Sequence, residues 1–165
     1  MRIENSISSN IPYATTGKNG VVGDFSNVLD KKDEEMSQRN VVHDRAVDTV
    51  NIIGKNAPEE VRKAWVEAAE ETGTNGMSVT IDGRHFHIPQ MLVEYLNRSF
   101  WGGGSPDNLL GDTVESAMSV AQKAIYDIDN PLPGQPIRSF DAQQETKKER
   151  AFYLAFIEKL KNLSY

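Results

Sequence analysis

The apolar positions of this chain fall into helical stripes divided by glycine and proline, with one interval where the period shortens to two. One stripe with clear start and stop signals begins after Ala57. Pro58 suits a first helical position because its missing N–H would be unpaired there, and Glu59 and Glu60 place negative charge at the positive end of the helix dipole. Val61, Ala64, Trp65 and Ala68 then recur every three or four residues, while Glu67, Glu70 and Glu71 lie off the stripe. Gly73 supplies a left-handed stop.

Four further segments carry helical spacing. Ser37 to Ile53 places Val42, Ala46, Val50 and Ile53 on one face ahead of Gly54, although Val50 and Ile52 also fit an alternating strand; the spacing favours a helix. Pro89 opens a segment with Leu92, Tyr95, Leu96 and Phe100 on one face, ended by Gly102-Gly103-Gly104. Ser105, Pro106 and Asp107 have the character of another helix start, followed by Leu110, Val114, Ala117, Met118, Ala121, Ile125 and Ile128. Beyond the Asn130 to Pro136 connector, a last helix is expected from about Asp141 to Leu163. Phe152, Ala155, Phe156, Leu160 and Leu163 make its stripe. Tyr153, Leu154 and Ile157 widen that stripe beyond one contact surface, so these three are the candidate partner-binding residues.

The period of two falls between Met77 and Ile88. Asp82-Gly83 is a dipeptide favoured where both turn residues need positive φ, so Met77 to Ile81 and Arg84 to Ile88 are expected to pair as a β-hairpin. Counting out from the turn sets Ile81 against Arg84, Val79 against Phe86 and Met77 against Ile88 on an apolar face. His85 and His87 then share the polar face with Thr80 and Ser78. Two strands alone are marginal in water, so the apolar face is expected to lie on the helices.

The fold class that follows is α+β and mostly α: a β-hairpin packed against four or five helices, preceded by a disordered N-terminal tail. Residues 1–40 are the tail, rich in Ser, Asn, Gly, Asp and Lys with no sustained amphipathic period, and residues 41–165 form one domain. Its core is expected around Trp65, Phe86, Leu96, Val114, Met118, Ile125, Phe152 and Phe156.

Composition narrows the function classes. With no cysteine, thiol nucleophiles and Cys-based zinc sites are excluded. A net charge of −6 without a basic cluster argues against nucleic acid and against anionic membrane surfaces. There is no apolar run long enough to span a bilayer, so no membrane insertion is expected. The polar start, Met1 to Ser6, lacks a secretory apolar region, which implies a cytoplasmic protein or one exported without a cleavable signal.

Candidate chemistry is sparse. His85 and His87 share a strand face and are candidate metal ligands, but a site needs a third ligand, for which only Asp82 and His43 offer themselves, so no metal is assigned. Gly102 to Gly104 precedes a helix start, yet no Lys or Arg lies between Gly102 and Gly111 and two aspartates would repel a phosphate. Asp127 and Asp129 echo a calcium loop that Pro131 breaks. Glu67, Glu71 and Glu94 lie at spacings that decide nothing about an acid–base pair. No cofactor and no catalytic residue is expected.

The residues Ala57 to Val61, Ala64-Trp65, Glu71 to Met77, Asn130 to Leu132, and Phe152-Tyr153 with Phe156 resemble an uncharacterised family of small Firmicute proteins, over about residues 56–163. The resemblance implies a bacterial origin and brings no catalytic residues. Together these observations point to a non-enzymatic bacterial module that binds a protein partner or a second copy of itself. The alternatives are a small hydrolase of a cell-wall or surface polymer, or a flagellar-type export substrate, the latter from Phe25 and Leu29 spaced four apart in the tail.

Overall fold

The computed structural model describes residues 22–81, 86–134 and 138–163. The chain divides into two units, Met1–Glu35 and Met36–Tyr165, and the second contains the core and all the features below. The described residues are mostly helical: α1 (Val22–Ile53), α2 (Glu59–Thr72), α3 (Gln90–Trp101), α4 (Val114–Asp129) and α5 (Phe140–Leu163). Two two-residue strands, β1 (Thr80–Ile81) and β2 (Phe86–His87), pair antiparallel between α2 and α3.

The core forms where α5 packs against α2 and α4. From α2 come Val61, Ala64, Trp65, Ala68 and Ala69, and Gly73 ends that helix in the left-handed region, its N–H bonding the Ala69 carbonyl at 2.8 Å. Trp65 meets Phe152 and Phe156 of α5 edge to face, with ring centroids 4.7 and 5.1 Å apart. Ala46, Val50 and Ile53 of α1 join this cluster, whereas Ile52 is exposed, so the helical alternative for this segment is the correct one. The helix also begins earlier than Ser37, at Val22, inside the stretch read as a tail; residues 1–21 lie outside the described residues.

Four further expectations are corrected. The fourth helix starts at Val114, not near Ser105, because the intervening segment is held by long-range backbone pairing. Gly54 and Asn108 form an antiparallel bridge, the Leu110 N–H bonds the Ile53 carbonyl at 3.1 Å, and Leu109 and Leu110 are buried. Gly111 then turns with φ +75, and Thr113 caps α4 through a reciprocal box with Ser116.

The strand pair is shorter than expected and differs in register, with Ile81 opposite Phe86 and Thr80 opposite His87. Four positions, 82–85, therefore separate the strand ends in place of a two-residue turn, and they lie outside the described residues.

The facing of the pair is also reversed. Phe86 is 56% exposed and is no part of the core, while His87 is 6% exposed. Finally, Tyr153 and Ile157 are buried, so two of the three residues that widened the α5 stripe serve the interior; only Leu154 is exposed. Of the other expected core positions, Trp65, Phe152 and Phe156 are fully buried, and Val114, Met118 and Ile125 are partly buried against the cluster. Leu96 is half-buried.

Candidate functional site

A strand sends successive side chains to opposite faces, so the outward Phe86 makes His87 the inward residue. His87 meets Glu149, which lies on α5 one turn ahead of Tyr153; both members of the pair are more than nine-tenths buried. A buried carboxylate needs donors, and Glu149 has three. His87 Nε2 donates to its Oε2 at 2.9 Å, while the Gln90 N–H at 2.6 Å and the Tyr153 hydroxyl at 3.0 Å reach Oε1. The Gln90 N–H belongs to the first turn of α3, where backbone donors lack helical acceptors, so Glu149 also caps that helix.

The Tyr153 hydroxyl accepts from the Met91 N–H at 3.2 Å and has the Gly76 carbonyl at 3.2 Å as an alternative acceptor for its single proton. Burial, followed by the Glu149 charge, pushes this hydroxyl well above the ordinary tyrosine range. Gly76 is required here. Its φ is +73, and a Cβ would sit 2.4 Å from the Phe152 ring. The bend around it is fixed by Asn75, whose Oδ1 accepts from the Met77 and Ser78 N–H groups at 3.1 and 2.8 Å and whose Nδ2 donates to Thr49 at 3.2 Å.

This cluster borders a cavity of about 170 Å³ that also takes in Glu145, Lys148, Asn75 and Thr80. Glu145 accepts from Thr80 at 3.2 Å and from Lys148 at 2.8 Å, and the Lys148 hydrogen bond is the main cause holding its carboxyl below the ordinary range. Two carboxylates and an imidazole thus border one small polar space. Such groups can hold and pass a proton, the chemistry that a hydrolase requires. In this arrangement, however, both oxygens of Glu149 are taken by internal donors, and a reacting group would have to displace one of them.

A second concave region also meets β2, and His87 borders both it and the first cavity. Phe86, Val93, Pro131, Leu132 and Arg138 border a groove of about 450 Å³. Pro131, Leu132 and Arg138 also border an adjoining cavity of about 530 Å³, which extends along Ile128, Thr146, Lys147 and Arg150. Leu132 is 73% exposed. The Asn130-Pro131-Leu132 connector, rigid because proline fixes φ, therefore presents an apolar edge between the two hollows.

Among the expected site residues, His85 lies outside the described residues, and His43 bonds Glu70 of α2 at 2.6 Å. Among the described residues no three His, Asp or Glu side chains converge to hold a metal ion, and no helix is long and apolar enough to cross a membrane. Leu154 is on the surface, 45% exposed. Phe25 and Leu29 fall within α1. No continuous local pattern marks the groove, because its residues come from β2, α3, the end of α4 and the connector. Leu132 beside two prolines was its only local signal.

No protein-family model, no curated protein and no solved structure matches this chain.

Proposed function

We propose that this is a non-enzymatic bacterial protein-interaction module that binds its partner in the groove between β2, the start of α3 and the Pro131-Leu132 connector. The observation carrying this reading is the exposure of Phe86 and Leu132, 56% and 73%, on one continuous hollow also bordered by Val93. Large apolar side chains gathered around one concavity mark a binding face more specifically than the same residues scattered singly. The groove replaces the α5 surface as the docking face, since Tyr153 and Ile157 are interior.

The test is quantitative capture from a bacterial lysate with the full chain, with Leu132→Gln, and with Leu154→Gln, each checked by circular dichroism. A partner retained by the original protein and by Leu154→Gln, but lost from Leu132→Gln, is the expected result. A capture profile indifferent to Leu132→Gln, or one that follows Leu154 instead, overturns the groove as the docking face.

A further inference from the structure

We infer that the segment received by this groove is acidic as well as apolar, a proposal that rests on the docking face just described. The argument is the balance of charge. Asp127 is paired with Lys123 at 2.7 Å, and Asp129 is held by Arg150 through two bonds of 2.9 Å. Asp127 borders the groove and Asp129 the adjoining cavity, so both carboxylates of the two hollows are neutralised by the protein itself.

Two cations are left over. Arg138 borders both hollows, and its Nη1 donates to the Thr146 hydroxyl at 2.8 Å, a neutral partner that orients the guanidinium without cancelling its charge. Lys147 lines the second hollow, and among the described residues no carboxylate lies within ion-pair reach of either group. Residues 135–137, which separate the connector from Arg138, are Gln, Pro and Ile and bring no charge. In a chain of net charge −6, an apolar hollow with two cations that no carboxylate among the described residues compensates is a local reversal of sign. A partner with carboxylates flanking its apolar side chains meets attraction at this groove and repulsion over most of the remaining surface, which fixes where and in which orientation it docks.

The probes are three fluorescein-labelled peptides of about nine residues, long enough to span roughly 30 Å when extended, with leucine alternating with Glu, Gln or Lys. Binding to the full chain is read by fluorescence anisotropy at low salt. The Glu peptide is expected to bind tightest and the Lys peptide weakest, with about two- to fivefold between Glu and Gln for each pair formed. Arg138→Gln with Lys147→Gln brings the Glu peptide to the level of the Gln peptide and leaves the latter unchanged. Lys147→Gln alone, at an exposed position where folding is not at stake, gives part of that loss.

Equal binding of the Glu and Gln peptides, with both weakened by Leu132→Gln, overturns the acidic partner and retains the groove. If Leu132→Gln weakens neither peptide, or if no peptide binds, the docking face itself is overturned and this inference falls with it. Co-sedimentation with phosphatidylglycerol vesicles, lost in the double variant and without any order among the peptides, overturns the peptide as occupant.

Discussion

Tyr153 has one proton and two acceptors for it, and it sits where water does not reach. Burial and the Glu149 charge both disfavour its anion, so its pKa in the folded protein lies well above that of the unfolded chain. The sign of the pH dependence follows. Below about pH 10 the hydroxyl is protonated in both states and its contribution to stability is complete. Above that point the unfolded chain releases the proton while the folded protein keeps it, so stability falls as pH rises toward the folded-state pKa. Unfolding free energies from urea titrations between pH 8 and 11 should therefore decline faster for the original protein than for Tyr153→Phe, by up to about 1.4 kcal/mol per pH unit. Parallel curves would show that Tyr153 does not ionise differently in the two states.

At the scale of elements, α4 shows how a local signal and a tertiary contact compete. Ser105-Pro106-Asp107 has the composition of a helix start, yet the helix waits until Thr113, whose hydroxyl accepts the Ser116 N–H at 3.1 Å. Thr113→Ala should lower stability by about 1 kcal/mol in chemical denaturation, in line with other cap losses, and by more than Asp107→Ala. The reverse ranking would place the functional start of the helix upstream.

Caps and stripes that act within a few residues were legible in the sequence. Pro58 with Gly73, Pro89 with Gly102, and the apolar run from Phe152 to Leu160 correspond to α2, α3 and the buried part of α5. What the residues could not show was any choice decided by a distant partner. Leu110 is drawn out of a helix by the Ile53 carbonyl, and His87 is turned inward by Glu149, 62 positions away. Alternation separates the two faces of a strand without saying which one is buried. Hence alternation places Phe86 and His87 on opposite faces, as in the structure, while the hydrophobic pattern puts Phe86 inside and His87 outside, the reverse of what is found. The groove was illegible for the same reason, being assembled from β2, α3, α4 and the connector, with α5 bordering the adjoining cavity, only once the chain has folded.

For the molecule as a whole, the location of the core decides what the chain needs in order to fold. The buried apolar cluster runs from Ala46 to Leu160, and every position from Glu35 to Val41 is exposed. A cut between Glu35 and Met36 therefore removes no described buried side chain. Tolerance of truncation depends on the burial and bonding of what is removed, so Met36–Tyr165 should fold by itself. The expected result is a single cooperative urea transition for the fragment, with a midpoint close to that of the full chain. Its m-value should be no larger, since the fragment has less chain to expose. A fragment that loses cooperativity would show instead that the first unit supplies part of the stabilising surface.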